Sequence, residues 1–118
     1  MPASLDIAIE ERELLRRRER ARLGDLRPQI EALCERYGVA RLSIFGSLLH
    51  EGEWGPESDF DFLVEFLPDV SHGLSFYRME DELETLVERK VDLKTAGDLS
   101  RYFREEVVEE AEVFYAKT

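Results

Sequence analysis

The chain has 118 residues, 43% of them hydrophobic and 36% charged, and its formal net charge is -11 at pH 7. This length suits one domain with its own core, and the apolar content excludes a disordered chain. The acidic charge repels phosphate backbones and so argues against non-specific nucleic-acid binding, whereas it favours a basic protein partner and a bound divalent cation.

Neither a membrane protein nor a disulfide-stabilised protein is expected. No stretch approaches the roughly 18 apolar residues of a membrane span, and the N-terminus lacks an apolar signal region, so we expect a cytoplasmic protein. The single cysteine, Cys34, excludes an intramolecular disulfide. Its apolar helical neighbours predict a buried side chain.

The first part of the chain is predicted to form two helices. Residues 5–22 are rich in helix formers and carry a cluster of arginines, which form either a solvated face or a partner contact. Gly24 is predicted to end this helix, and Asp25 to cap the next one, with Pro28 in its first turn. Gly38 is expected to close the second helix.

The rest of the chain alternates strands and helices. The predicted strands cover residues 40–46, 60–66 and 90–95, the predicted helices cover 73–87 and 99–111, and a short helix begins at 47–51. Residues 112–115 form either a short closing strand or a frayed end. Helices then cover one face of a small mixed sheet, which is an α+β or two-layer α/β fold. We treat residues 1–24 as an N-terminal helical extension and 25–118 as the main domain.

Two aspartates mark a candidate metal site. Asp59 and Asp61 are two residues apart at the start of a strand, so their side chains share one side while Phe60 and Phe62 take the other. Carboxylates so placed repel each other unless a cation lies between them, and carboxylate oxygens suit magnesium. Taken alone, the pair is a weak signal and is more typical of solvated carboxylates at a strand end.

Two further features strengthen the candidate site. Gly46 allows close approach of a phosphate, Ser47 adds a hydroxyl donor, and both end a predicted strand. A simple turn is the alternative for this pair. Asp92 lies between apolar residues in the third strand, where a carboxylate needs a partner or a metal. It either pairs with Lys90 or Lys94 at the surface or, if its strand neighbours that of Asp59 and Asp61, converges with them on a bound metal.

These residues together resemble a known family. Gly46-Ser47, an intervening loop, Asp59-x-Asp61 and the later Asp92 are similar to the site of the minimal nucleotidyltransferases, or MNT domains, of the DNA polymerase β superfamily. The segments PESDFDFLVEF, VDLKT and EEAEVFYA resemble the MNT antitoxins that pair with HEPN-domain toxins. The resemblance covers roughly residues 26–116.

The resemblance implies a polymerase β-like nucleotidyltransferase fold and a specific activity. AMP is transferred from ATP, with Mg²⁺, to a tyrosine hydroxyl of a partner HEPN ribonuclease toxin, which is thereby neutralised within a protein complex; direct nucleic-acid or membrane contact is not expected. By position, Gly46 belongs to the nucleotide-binding turn, Ser47 contacts the β- and γ-phosphates, and Asp59 and Asp61 hold magnesium. Asp92 completes the metal site and helps to deprotonate the attacking hydroxyl.

The segment after Gly46-Ser47 departs from the family pattern. Family members commonly carry an arginine there, whereas this chain has Leu48, Leu49 and His50. His50 is either a weaker phosphate donor or an ordinary loop histidine, and Lys94 offers a further positive charge to the nucleotide. Two alternatives stay open: a non-catalytic antitoxin that neutralises its toxin by contact, and a small-molecule nucleotidyltransferase.

Two loop residues have open roles. Trp54 is expected either to anchor its loop or to pack on a base or a partner. His72 is expected to be an ordinary loop histidine.

Overall fold

The computed structural model describes the backbone of residues 2–71 and 73–118 and the side chains of residues 9–71 and 73–118, so His72 lies outside the described residues. The helices are α1 (Pro2–Asp25), α2 (Arg27–Arg36), α3 (Gly73–Val87) and α4 (Arg104–Glu110), and the strands are β1 (Val39–Phe45), β2 (Phe60–Phe66), β3 (Val91–Lys94) and β4 (Glu112–Ala116). Short 3-10 helices cover Gly46–Leu49 and Ala96–Asp98. None of the described helices has the length and apolar character needed to cross a membrane.

The four strands form one mixed sheet in the order β3-β2-β1-β4. Strand β1 is antiparallel to both β2 and β4, whereas β2 and β3 are parallel. A parallel pair needs a crossover connection, and helix α3 supplies it. The closing segment is a paired strand rather than a frayed end.

The core lies between the helices and one face of the sheet. Alternate residues of β1, β2 and β3 point into it and meet buried residues of α1, α2 and α3; these are Leu42, Ile44, Phe60, Phe62, Val64, Val91 and Leu93 from the sheet, and Leu23, Ile30, Leu33, Cys34, Met79, Leu83 and Val87 from the helices. The predicted α+β arrangement of a small mixed sheet with helices is confirmed; α1, α2 and α3 cover one face, whereas α4 borders cavities with Phe45 and Leu63 on the other face. Cys34 is a free, fully buried thiol, as predicted, and burial raises its pKa to about 12.

The first helix is longer than predicted. It continues through Gly24 to Asp25, and Leu26 then occupies the cap position of α2 without a side-chain capping bond. Burial of Leu23 in the core holds the backbone helical past the exposed Gly24. The predicted roles of Gly24 as a helix end and Asp25 as a cap are therefore wrong. Pro28 in the first turn of α2 is confirmed, as is Gly38 just beyond its end, where φ is +68°.

The last helix is shorter than predicted. Residues 99–103 form turns instead of a first helical turn, because the capping box of Thr95 with Asp98 closes a separate 3-10 helix before them. Leu99 is buried, whereas Phe103 and Val108 are 49% and 44% exposed. The predicted apolar face of this helix thus covers no core. The division of the chain at residue 24 stays a prediction.

Candidate active site

The sheet face opposite α1, α2 and α3 carries the predicted carboxylates. Phe60 and Phe62 are buried in the core, so Asp61, between them, points to the other face. In the parallel pairing of β2 with β3, Asp61 lies directly opposite Asp92. On its other side, Asp61 pairs with Phe45, the last residue of β1. Three strands therefore bring Asp61, Asp92 and the Gly46 turn to one place.

Gly46 lies against the Asp61 carboxylate. Its φ is +77°, in the left-handed region that favours glycine. A β-carbon at this position would be 2.3 Å from Oδ2 of Asp61. The turn can therefore approach the carboxylate this closely only with glycine.

The electrostatics of Asp61 fit a cation site. Burial, followed by the charges of Asp92 and Asp59, raises the pKa of Asp61 to about 6, while the charge of Lys94 acts in the opposite direction. The carboxylate is thus held in a negative environment that a bound cation relieves. Hard carboxylate oxygens are also the donor type that magnesium prefers, so the residues present fit this ion.

The carboxylates differ in their surroundings. Asp59 lies one residue before β2, and Asp92 is half-exposed with its Oδ1 3.4 Å from Nζ of Lys94. In the part of the chain that the structure describes, no three acidic, histidine or cysteine side chains converge at metal-binding geometry. Asp61 is therefore flanked by two carboxylates that approach it without forming a closed ligand set.

His50 lies near the Gly46 turn but faces another carboxylate. It is exposed, and its Nε2 is 4.0 Å from Oε2 of Glu110. Both residues line a cavity of about 260 Å³ that Gly46, Phe103 and other residues border. The backbone N–H of His50 donates to the Ser47 carbonyl at 3.2 Å. His50 thus belongs to the rim of the site, on the side opposite β3 and Lys94.

A larger cavity adjoins the site on the same sheet face. It measures about 550 Å³ and is lined by Ser43, Leu63, Val113, Thr95 and others. Leu63 follows Asp61 by two residues on β2, so the cavity continues the surface of the carboxylates along the strand.

The structure shows contacts that the sequence analysis missed. Arg16 of α1 donates to the backbone carbonyl of Leu48, and Glu13 accepts from the backbone N–H of Gly52. The pattern of glutamate and arginine three residues apart was the available signal, but it does not specify a distant backbone partner. For Trp54, the interpretation as a loop anchor is confirmed: it is fully buried, and its ring lies 4.9 Å from that of Phe60.

Comparison with known proteins identifies the family. Residues 26–114 match the nucleotidyltransferase domain family. The chain belongs to this family. The match includes the Gly46 turn and all three aspartates, and it begins immediately after helix α1.

Individual members of the family agree with this assignment. The chain is similar to protein adenylyltransferase MntA of Thermococcus cleftensis, with 36% identity over 66% of this chain and 77% of the relative. A solved minimal nucleotidyltransferase superposes with a TM-score of 0.63 at 35% identity, over 75% of this chain and 89% of that one. A Shewanella oneidensis complex of an MNT antitoxin with a tri-AMPylated HEPN toxin superposes with a TM-score of 0.53 over 77% of this chain and 70% of that chain; at 17% identity, this likeness shows the shared nucleotidyltransferase fold.

Proposed function

We propose that this nucleotidyltransferase is an antitoxin-type protein adenylyltransferase, which transfers AMP from ATP to a tyrosine hydroxyl of a HEPN ribonuclease toxin. The observation that carries the proposal is the direct pairing of Asp61 with Asp92 beside the Gly46 turn, within a chain of this family. The similarity to MntA supports protein as the acceptor class, and the Shewanella complex supports a HEPN toxin as the partner.

Each candidate residue has a chemical role in this reaction. Gly46 and Ser47 bind the β- and γ-phosphates, because glycine leaves the backbone open to them and the serine hydroxyl can donate. Asp59, Asp61 and Asp92 would hold Mg²⁺. When bound, this ion supplies charge neutralisation for the phosphates and for the leaving group.

The transfer step forms one bond and breaks one. The tyrosine oxygen bonds to the α-phosphorus, the bond from that phosphorus to the oxygen bridging to the β-phosphate breaks, and pyrophosphate leaves. The half-exposed Asp92 carboxylate accepts the proton of the tyrosine hydroxyl. Lys94, 3.4 Å from Asp92, adds positive charge where the phosphates lie, and His50 on the opposite rim offers a ring N–H donor.

Mass spectrometry tests the proposal. The chain is incubated with ATP, magnesium and its HEPN partner, and we expect AMP increments on a tyrosine of the partner. Asp61→Asn should abolish the increments, whereas Glu65→Gln, an exposed charge change on the same strand, should leave them intact. Absence of any increment under conditions in which the two proteins bind each other rejects the enzymatic proposal.

A second candidate function is neutralisation by contact alone. The segment after Ser47 favours it, because Leu48 is fully buried and Leu49 is half-buried, which leaves His50 as the basic side chain of the three. The charge of -11 also suits binding to a basic surface.

The double variant Asp59→Asn with Asp61→Asn separates the two functions. A contact antitoxin keeps its protective effect in this variant, whereas an adenylyltransferase loses protection while still binding its partner. Toxin activity and complex formation are therefore measured on the same samples.

A further inference from the structure

Helix α1 lies along the connection between the two halves of the candidate site. That connection, Leu48–Ser58, joins the Gly46-Ser47 turn to Asp59. The helix itself precedes residues 26–114, the part of the chain that matches the nucleotidyltransferase family. Its contacts therefore come from outside the part of the chain that the family model matches.

Arg16 makes the contact closest to the phosphate-binding turn. Its Nη1 donates to the Leu48 carbonyl at 2.9 Å, one residue after Ser47. Its Nε and Nη2 donate to the two oxygens of Glu13 at 2.9 and 3.1 Å. The side chain is only 14% exposed. All three nitrogens are engaged, so the guanidinium is fixed in place and acts on the backbone of the turn.

Glu13 makes the second contact with the same connection. Its Oε1 accepts from the backbone N–H of Gly52 at 3.2 Å while it also accepts from Arg16. Together, the two side chains hold the backbone at Leu48 and at Gly52, on both sides of His50. A bidentate arginine–carboxylate pair of this kind has a defined geometry and orients what it binds.

Further contacts fix α1 to the domain on both sides of Glu13 and Arg16. Nη2 of Arg12 is 2.8 Å from Oε1 of Glu57, and a β-carbon at Gly55 would be 2.0 Å from Nη1 of Arg12, so the arginine crosses the loop at its glycine. Nη2 of Arg20 donates to both carboxylate oxygens of Glu112 at 2.8 Å. The helix is thus attached to the domain from Arg12 to Arg20, and these contacts position the connection.

We propose that α1 braces the nucleotide-binding turn, with Arg16 as a positioning residue that holds Gly46-Ser47 in register with Asp61 through the Leu48 carbonyl. The inference rests on the proposed function in that the turn must bind a nucleotide. Arg16 acts from outside the site, so it is distinct from an arginine that contacts phosphate after the Gly-Ser pair.

The test compares Arg16→Ala with Arg17→Ala. Both remove one positive charge from the same helix, and both side chains bond Glu13, but Arg17 is 71% exposed and, among the described residues, its side chain bonds Glu13 and does not reach the Leu48 carbonyl. Affinity for a non-hydrolysable ATP analogue with magnesium is measured by titration calorimetry. Hydrogen exchange of the amides of residues 46–52 is measured on the same proteins.

We expect Arg16→Ala to weaken nucleotide binding about tenfold, the scale of one charge-assisted hydrogen bond, and to speed exchange at His50 and Gly52. Arg17→Ala should stay within about twofold of the unmodified chain. Arg16→Lys should recover part of the loss, because one ammonium reaches either the Leu48 carbonyl or Glu13 but not both.

Two results overturn the brace. The first is an unchanged affinity of Arg16→Ala for the ATP analogue. The second is a weaker affinity with unchanged hydrogen exchange at residues 46–52, which would mean that Arg16 contacts the phosphate itself. If the unmodified chain binds no nucleotide, the proposed function fails, and unchanged exchange in Arg16→Ala then rejects the brace separately. If Arg16→Ala does not fold, Glu13→Gln is tested in its place. Nucleotide affinity and hydrogen exchange at the Gly52 amide are then measured on that variant.

Discussion

At the scale of single residues, Asp61 is held in an unfavourable state by its neighbours. Its pKa is about 6 in the folded chain against an ordinary value of 3.8, because of burial and the charges of Asp92 and Asp59. A group whose folded pKa is raised binds its proton more tightly in the folded state. The ionised carboxylate therefore destabilises the ligand-free fold above pH 6, and this cost disappears as the pH falls below about 4.

We predict that Asp61→Asn raises the melting temperature of the ligand-free protein. The free energy of unfolding should increase by about 1 kcal/mol at pH 8, after allowance for solvent screening of a partly exposed group. This increase should vanish near pH 4. Thermal denaturation at both pH values measures it. Glu65→Gln on the same strand is the control and should change little. A variant that melts at or below the unmodified chain at pH 8 contradicts the account of Asp61.

Two glycines should respond to alanine in opposite directions. At Gly46, φ is +77° and a β-carbon would meet Asp61, so Gly46→Ala should cost about 1–3 kcal/mol and weaken nucleotide binding. At Gly24, inside α1, a β-carbon meets nothing within 4 Å. Gly24→Ala should therefore increase the free energy of unfolding by about 0.5–1 kcal/mol. Urea denaturation compares them, and the same sign for both would show that backbone conformation does not decide these positions.

At the scale of elements, the connection between Ser47 and Asp59 is held by a buried side chain. Trp54 packs on Phe60, and the guanidinium of Arg89 lies 4.9 Å from the centre of its ring. The Nη1 of Arg89 also donates to the carbonyls of Gly55, Pro56 and Ser58. This loop is therefore a packed part of the domain.

Replacement of Trp54 should destabilise the whole domain. We predict a loss of about 3–5 kcal/mol for Trp54→Ala in urea denaturation, because a large buried ring leaves a cavity. Trp54→Phe keeps the contact with Phe60 and should lose less. If both variants unfold at the same urea concentration as the unmodified chain, the ring does not anchor the loop.

The sequence was most informative where a local pattern and tertiary packing agree. Strand β2 and helix α3 were predicted at their observed limits, because alternation in β2 and the helical spacing of Leu83 and Val87 in α3 coincide with burial, whereas Leu74 and Tyr77 of α3 are exposed. Gly24 and residues 99–103 were misassigned because distant contacts override local propensity there. For the site, the Gly46 turn and the aspartates were recognisable from residue types and order. The contacts of Arg16 and Glu13 were not, because their partners are backbone groups far along the chain.

At the scale of the whole molecule, the net charge of -11 opposes compaction. Most ion pairs of the described residues have at least one well-exposed partner, for example Arg41 with Glu65 and Arg36 with Glu82, and such pairs contribute little to stability. Self-repulsion should therefore outweigh them at low salt.

Added salt should consequently stabilise the fold. We predict that the melting temperature rises with sodium chloride and rises further with magnesium chloride at equal ionic strength. The excess with magnesium corresponds to an increase of about 1–3 kcal/mol in the free energy of unfolding, which comes from binding at the site. The double variant Asp59→Asn with Asp61→Asn should lose only the excess due to magnesium. A melting temperature that falls with sodium chloride would mean that ion pairs dominate, and an equal effect of the two salts would argue against a magnesium site.

The parallel pairing of β2 with β3 also governs when the site can form during synthesis. The sequence places the 15-residue helix α3 between Asp61 and Asp92, and the two strands meet only after that helix has crossed over. A nascent chain that has emerged as far as β2 holds the Gly46 turn and two of the aspartates but has no strand to set beside Asp61. The pairing that sets Asp92 beside Asp61 is therefore absent from the growing chain on the ribosome until β3 has been made.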